Sequence, residues 1–260
     1  REALKYAQER EQFGKAIIQY PAVYEMITNM KVKTDAIRTL LYETARFVDI
    51  YKAYTFAGHE RKLEQAEREE YKYYLKLADV FTPLLKLFSS EYCNQIAYDA
   101  IQIHGGTGYM KDFPVERIYR DARITTIYEG TSQLQVVAAI RGVGNGAYLK
   151  AMQTYAQTQV KPELQYMKSV LEKMTDQYAR TVEKVNEFED NEYLDYHARR
   201  LVEMAGHIIM GFLLLLDANR NDDYTKSADI FIRMARAENI AKVGFINQSH
   251  PKDLGAFKQV

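Results

Sequence analysis

The sequence has little of the residues that mark several specialised classes of protein. Its 260 residues include one cysteine, five prolines and 13 glycines, and no tryptophan. The single cysteine, Cys93, excludes an intramolecular disulfide and a cysteine-rich zinc site, and it is typical of a reducing compartment. We therefore expect a cytoplasmic protein, or one of the mitochondrial matrix in a eukaryote. The small share of glycine and proline argues against a fibrous or disordered chain.

An excess of charge of either sign is also absent. The 35 basic side chains balance the 35 acidic ones, which excludes a global basic surface for nucleic acid or for an anionic membrane. The longest uncharged apolar run, Met204 to Leu216, would reach about 20 Å as a helix, too short to span a bilayer. We expect no transmembrane segment and predict a buried core helix at this run.

The sequence is rich in helical periodicity. Apolar residues recur at steps of three and four along most of the chain, and no sustained period-two alternation occurs, so we predict an all-α fold with essentially no sheet. The chain also opens in helical character at Arg1, without a starting Met or an N-cap, which indicates the C-terminal part of a longer protein. Longer helices are predicted from Pro21 to about Tyr54, Leu75 to Ile103, Gly130 to Val143, from Pro162, Leu194 to Ala218, and Ala228 to Ile246. The last is predicted to face inward with Ile230, Phe231, Met234, Ile240 and Phe245.

A glycine cluster divides the chain. The stretch Gly142-Val143-Gly144-Asn145-Gly146 favours turn backbone over helix and is the best internal boundary. We therefore predict two all-helical units, residues 1–143 and residues 147–260.

Most isolated polar residues are predicted to be structural. Glu203 and His207 lie four residues apart on one helical face, a spacing that could bring two metal ligands together, but no HExxH or repeated ExxH pattern accompanies them. An ordinary core or surface histidine is the favoured interpretation, and we expect no metal site. Cys93 has no CxxC partner and lies on an apolar helix, so a buried, inert thiol is predicted.

The segment from residue 99 to 141 differs from the rest. Gly105, Gly106 and Gly108 leave backbone N–H groups open to the close approach of an anionic group. Glu129 stands just before a predicted helix, where a carboxylate can cap the helix or act as a catalytic base. The residue types alone leave both roles open.

Three motifs, taken together and in their order along the chain, make the sequence similar to one known protein family. They are Arg10-Glu11-Gln12-Phe13-Gly14, then Gln102-Ile103-His104-Gly105-Gly106-Thr107-Gly108-Tyr109, then Arg120-Asp121-Ala122-Arg123 leading into Tyr128-Glu129-Gly130-Thr131-Ser132-Gln133. With them, residues 1–143 resemble the C-terminal helical domain of the acyl-CoA dehydrogenase flavoproteins. The rest resembles a C-terminal helical extension of some longer members. The resemblance implies an up-down helical bundle followed by a second bundle, with FAD as cofactor.

The resemblance also implies roles for individual residues. Glu129 matches the base that removes the α-proton of an acyl-CoA thioester while the β-hydrogen leaves as hydride to flavin N5, and the Glu129–Gly130 backbone would hold the thioester carbonyl. Arg10 matches an arginine that reaches the flavin pyrophosphate of a neighbouring subunit. The family's N-terminal and middle domains are absent from the chain, so we expect no turnover from it alone. The positions that match FAD-contacting residues are Arg10, Gln12, Phe13, Gln102, Gly105, Gly106, Thr131 and Gln133.

Two other functions stay open at this point. An acyl-CoA oxidase would use the same base and flavin and pass electrons to oxygen. A catalytically silent helical oligomerisation module would keep the fold without the activity. As partners we expect an acyl-CoA substrate, an electron-transfer flavoprotein and further copies of the chain in a homodimer or homotetramer, with no nucleic acid.

Overall fold

The computed structural model describes residues 1–259 and is helical almost throughout. The predicted all-α fold class is confirmed. Within the described residues ten α-helices follow one another, joined by short 3₁₀ turns and bends. They are α1 (Glu2–Glu9), α2 (Pro21–Glu60), α3 (Gln65–His104), α4 (Pro114–Arg123), α5 (Ser132–Gly144), α6 (Ala147–Ala156), α7 (Gln165–Asn186), α8 (Asn191–Arg220), α9 (Thr225–Gln248) and α10 (Leu254–Phe257).

Helices α2 and α3 form the long axis of the first half of the chain, with 40 residues each. Pro21 occupies the start of α2, where its fixed φ suits a helix and its missing N–H costs nothing. Glu64 and Glu67 form a capping box at the start of α3. The charged stretch of residues 57–71 is therefore mostly helical, and only residues 61–64 separate the two helices.

A small hairpin departs from the expectation of essentially no sheet. Strands β1 (Glu11–Gln12) and β2 (Lys15–Ala16) pair antiparallel across a two-residue turn, in which Phe13 and Gly14 both have positive φ, 51° and 81°. Two positive φ angles match the turn type whose twist suits a hairpin. Strands of two residues are too short to leave an alternating pattern in the sequence.

Three short helices, α4, α6 and α10, were absent from the sequence-based prediction. Helix α4 begins at Pro114 and buries only Val115 and Ala122, so its apolar signal is small. Helix α6 follows Gly146, whose φ of 69° lies in the left-handed region, directly after the predicted glycine boundary. The prediction ended one helix at this boundary and did not begin another until Pro162.

One continuous hydrophobic core runs through α2, α3 and the helices from α5 to α9. Tyr148 of α6 is fully buried, and its hydroxyl donates to the Val80 carbonyl of α3 at 2.7 Å. A smaller cluster around Ala7, Ile103 and Val115 packs α1 and α4 against the end of α3. The two predicted units thus share their largest core, and their division at residues 143–147 stays a prediction.

Helix α8 crosses this core. By length and composition it could cross a membrane, with 30 residues and a mean hydropathy of 1.7 over its most apolar window, but 83% of that window is buried inside the protein. The run Met204–Leu216 is therefore a core helix, as predicted.

The inward face of α9 is only partly the predicted one, since Phe231 is buried and Ile230 and Met234 are half-buried. Ile240 and Phe245 are 50% and 42% exposed, so the prediction that they face inward is wrong. The buried face of α9 includes Asn239 and residues such as Val243 and Ile246. A search for large apolar residues finds Phe231 but misses the part of this face around Asn239, because a polar side chain belongs to it.

Candidate functional site

A groove of about 620 Å³ lies between the N-terminal elements and the C-terminal end of α3. Helix α1 ends at Glu9, and the next residue, Arg10, donates its backbone N–H to the Tyr6 carbonyl at 2.8 Å. The hairpin follows directly. The structure brings six of the eight predicted cofactor residues to this groove. They are Arg10, Gln12, Phe13, Gln102, Gly105 and Gly106.

The glycines of the groove differ in what they permit. Gly105 ends α3 with a φ of 62°, and a Cβ on Gly105 or Gly106 would meet nothing within 4 Å. A Cβ on Gly108 would lie 2.7 Å from the Cβ of His104. Gly105 and Gly106 therefore leave their backbone open to a ligand. Gly108 is buried and needed for packing, so the prediction of an open backbone at this glycine is wrong.

The groove offers a charged donor beside an aromatic ring. Arg10 is exposed, and within residues 1–259 its guanidinium makes no hydrogen bond or ion pair. Phe13 is 87% exposed at the tip of the hairpin turn. The amides of Gln12 and Gln102 line the same groove. A guanidinium suits a phosphate group, and an exposed ring suits a flat heterocycle, so this set of groups fits a dinucleotide.

Glu129 occupies a second region, the loop before α5. Its φ is 51°, the following Gly130 has a φ of 96°, and the Glu129 side chain is exposed. The residue that caps α5 is Thr131, whose hydroxyl accepts from the Leu134 N–H. The interpretation of Glu129 as the helix cap is therefore wrong. A residue other than glycine in the left-handed region costs on the order of 1 kcal/mol or more and is enriched at functional sites.

Side chains from neighbouring helices hold this loop by its backbone. Lys86 of α3 donates to the carbonyls of Thr125 and Gly130, at 2.9 and 2.8 Å. The side-chain amide of Gln135 lies 3.3 Å from the Glu129 carbonyl and 3.2 Å from that of Gly130.

Asn94 holds the start of the same segment. Its amide donates to the Ala122 carbonyl at 2.9 Å and to the Thr125 hydroxyl at 3.2 Å. Sequence reasoning missed Lys86, Asn94 and Gln135. The available signal was a polar row at four-residue spacing, Lys86, Ser90 and Asn94, within the apolar pattern of α3.

Thr131 and Gln133 do not line the groove. They border a separate cleft of about 360 Å³ that also contains Arg123 and Ser132. The Ser132 hydroxyl is buried and has no hydrogen-bond partner within the described residues. The structure thus divides the predicted cofactor residues between the groove and this cleft beside the Glu129 loop.

Cys93 is exposed, so the prediction of a buried thiol is wrong. It borders an apolar hollow of about 570 Å³ between α1, α2, α3 and α4. Helix α3 is apolar on more than one face, and the face at Cys93 is left partly uncovered. Partial burial nevertheless raises the pKa of the Cys93 thiol, which disfavours the thiolate.

His207 is a core residue, as favoured by the sequence. Its Nδ1 lies 2.9 Å from the Asn239 side-chain oxygen, and burial lowers the pKa of its imidazole. Glu203, four residues earlier, pairs with Arg199 at 2.7 Å. Among the described residues no group of three or more potential metal ligands is found.

Comparison with known proteins identifies the family. Residues 1–144 match the family described as "Acyl-CoA dehydrogenase, C-terminal domain". The chain belongs to the acyl-CoA dehydrogenase family. Residues 144–254 match a second family description, "Acyl-CoA dehydrogenase C terminal". FAD is the cofactor of acyl-CoA dehydrogenases.

Individual relatives cover parts of the chain. The caffeyl-CoA reductase-Etf complex subunit CarC of Acetobacterium woodii is 42% identical over 134 residues, which are 52% of this chain and 29% of that protein. An acyl-CoA dehydrogenase of Bacillus anthracis complexed with FAD superposes with a TM-score of 0.69 at 22% identity, over 94% of this chain and 45% of that one. Acyl-CoA oxidase3 of Yarrowia lipolytica gives a TM-score of 0.74 at 16% identity, over 99% and 43%. The two structural likenesses show the fold, and the chain spans less than a third of the curated relative.

The groove and the cleft fit the family cofactor. The groove supplies the exposed guanidinium of Arg10 and the open backbone of Gly105 and Gly106. The cleft contains the buried hydroxyl of Ser132, which has no partner among residues 1–259 and is a polar group of the kind that a ligand can satisfy.

Proposed function

We propose that this chain is the C-terminal part of an FAD-dependent enzyme that removes the α- and β-hydrogens of an acyl-CoA thioester. The observation that carries the proposal is Glu129, an exposed carboxylate on a loop held by its backbone in a left-handed conformation. Strain maintained by surrounding contacts is a feature of catalytic loops. The family membership supplies the class of substrate.

In this proposal the chain's own residues bind and orient the thioester and remove its α-proton. The Glu129 carboxylate takes the α-proton, and the backbone N–H groups at Glu129 and Gly130 are the donors assigned to the thioester oxygen, where negative charge develops. Bound FAD supplies the acceptor for the β-hydrogen, which leaves as hydride to N5.

The cofactor contacts are assigned to two groups of residues. Arg10, Gln12, Phe13, Gln102, Gly105 and Gly106 are assigned to the diphosphate and adenosine side, and Thr131 and Gln133 to the part beside the base. Following the family resemblance, we assign the groove to FAD held mainly by another copy, an assignment with which the separation of the groove from the cleft agrees. A homodimer or homotetramer is therefore part of the proposal.

The same site could also run the reaction in the opposite direction, as a reductase. The relative from Acetobacterium woodii is named a caffeyl-CoA reductase and a subunit of an Etf complex. In the reductive direction a protonated Glu129 would deliver the α-proton to an unsaturated thioester, by microscopic reversal. We propose an electron-transfer flavoprotein as redox partner in either direction, in the cytoplasm or the mitochondrial matrix. Peroxide formation under air would instead indicate an oxidase.

The test uses the FAD-loaded enzyme that carries this chain. Acyl-CoA thioesters are added anaerobically, and flavin absorbance is followed at about 450 nm. We expect rapid bleaching by the unaltered enzyme and a loss of at least about 1,000-fold in its rate with Glu129→Gln, which removes the base and keeps the side-chain shape.

Glu189→Gln is the matched control. Glu189 is also an exposed glutamate with a positive φ, 49°, and it lies before α8. Bleaching by Glu129→Gln at the unaltered rate would disprove the assignment of the base. A protein that binds no flavin would instead favour the silent oligomerisation module.

A further inference from the structure

One side chain bridges the two ends of the loop that carries Glu129. The ammonium of Lys86 donates to the Thr125 carbonyl at 2.9 Å and to the Gly130 carbonyl at 2.8 Å. It also lies 5.5 Å from the centre of the Tyr128 ring. An ammonium has three donors, and two of them are used to close residues 125–130 into a fixed turn.

The helix that supplies Lys86 is a firm support. On either side of it, Leu84 and Leu87 are buried in the main core. One turn further along α3, the Ser90 hydroxyl donates back to the Lys86 carbonyl at 2.7 Å. Two turns along, Asn94 binds the start of the loop segment. The loop is thus held along one row of a packed helix, so its backbone takes its position from α3.

The loop needs such a support because its backbone conformation at Glu129 is strained. Glu129 and Gly130 both have positive φ, and glutamate left to itself prefers the right-handed or extended regions. Without the two carbonyl contacts, the turn could open and rotate the Glu129 side chain. A displacement of about 1 Å in a reacting group is enough to lower a rate about 100-fold.

We propose that Lys86 is a positioning residue for the reaction proposed at Glu129. By bridging the Thr125 and Gly130 carbonyls it fixes the direction of the Glu129 carboxylate and of the neighbouring N–H groups. This inference rests on the proposed function. It assigns Lys86 no contact with substrate or cofactor.

The chain offers a matched control on the same helix. Lys76 of α3 also donates to a backbone carbonyl, that of Asn145 at 3.3 Å, at the opposite end of α5. A lysine that only stabilises a helix end would behave as Lys76 does. The comparison of Lys86→Met with Lys76→Met therefore separates positioning from general stabilisation.

The kinetic experiment uses the FAD-loaded enzyme that carries this chain. We expect Lys86→Met to lower kcat by about 10- to 100-fold while KM for the acyl-CoA changes by less than about threefold, since the lost alignment affects the reacting group more than binding. Lys86→Arg, which keeps the charge and the donors, should recover part of kcat. Lys76→Met should stay within about twofold of the unaltered enzyme.

A second readout is independent of turnover. In Lys86→Met, backbone amides of residues 126–131 should exchange hydrogen at least about tenfold faster, whereas amides in the middle of α3 and α8 should not change. Should Lys86→Met fail to fold, Lys86→Gln, which retains an amide donor, replaces it in both measurements.

The two readouts distinguish failure of this inference from failure of the proposed function. Unchanged loop exchange in Lys86→Met would overturn the positioning role whether or not the enzyme turns over acyl-CoA. Faster exchange with an unaltered kcat would overturn it as well, and so would equal kcat losses in the Lys86 and Lys76 variants. An unaltered enzyme that is inactive on every thioester would refute the proposed function, and with it the catalytic part of this inference.

Discussion

At the scale of single residues, the backbone conformation of Glu129 lowers the stability of the folded chain. Its φ of 51° lies where glycine is at ease and other residues are strained. A chain selected only for stability would place glycine at this position. The presence of a glutamate there agrees with a requirement for its carboxylate.

This trade-off gives a measurable prediction. We expect Glu129→Gly to have a higher free energy of unfolding than Glu129→Ala, by about 1 kcal/mol, because only glycine adopts the left-handed region without strain. Both variants should lack activity. Urea unfolding followed by circular dichroism measures the difference.

The matched position is Glu187, which has a right-handed φ of −57° at the end of α7. There the order should reverse, with alanine more stable than glycine. An alanine variant at position 129 as stable as the glycine variant would show that the loop is not strained.

At the scale of helices, the contact between α3 and α8 depends on a missing side chain. Gly206 of α8 lies against the ring of Phe88, and a Cβ on Gly206 would overlap that ring. The ring has little room to yield, because it also packs edge-on against Tyr92 and beside His207, with centroids 5.6 and 5.4 Å apart.

Gly206→Ala should therefore lower the free energy of unfolding by about 1 to 3 kcal/mol through overpacking. Gly244→Ala is the control, since a Cβ at Gly244 of α9 meets nothing within 4 Å. It should raise stability by about 0.5 to 1 kcal/mol through helix propensity. Chemical denaturation of both variants gives the comparison, and Phe88→Leu should restore part of the loss at Gly206. Similar effects at the two glycines would rule out the close packing of α3 and α8.

Helices in which apolar residues recur regularly at steps of three and four could be predicted from the sequence. Elements with few buried apolar residues could not. Helices α2, α3, α5, α7, α8 and α9 were predicted, with ends that differ by up to about ten residues. Helix α4 was missed because it buries only Val115 and Ala122. The hairpin was missed because two residues per strand carry no pattern.

The site divides in the same way. Motifs local in sequence, such as Arg10–Gly14 and Tyr128–Gln133, were read directly through their resemblance to a family. The support of the Glu129 loop was missed, since Lys86 and Gly130 are 44 residues apart and meet only through folding. Cys93 was placed wrongly because its burial depends on which face of α3 is covered.

At the scale of the whole molecule, stability should depend on pH through His197. This imidazole is fully buried among aromatic rings, including Tyr193 and Tyr196, and within the described residues neither ring nitrogen has a hydrogen-bond partner. Burial, aided by the charge of Arg200, lowers the pKa of His197 from 6.5 to about 4.

The sign of the effect follows from proton binding. Below about pH 6.5 the unfolded chain binds a proton at His197 that the folded chain takes up only near pH 4, so acid favours unfolding across this window. Relative to His197→Phe, the unaltered protein should lose about 1 to 2 kcal/mol more between pH 8 and pH 4. Carboxylates titrate in both proteins and cancel in the difference. Parallel stability curves for the two proteins would show that His197 is readily protonated in the folded state.

The way in which the Glu129 loop is held has a consequence for how new specificities arise. Lys86 and Gln135 bind its backbone carbonyls, and Lys86 also lies 5.5 Å from the centre of the Tyr128 ring. The Ile127 side chain is exposed and takes no part in these contacts. The identity of residue 127 can therefore drift, or be randomised in a directed-evolution library, without loosening the turn. Under the proposed function, the loop thus separates an inheritable scaffold from a variable position near the proposed base, and acquiring a new acyl substrate need not begin with a loss of the old geometry.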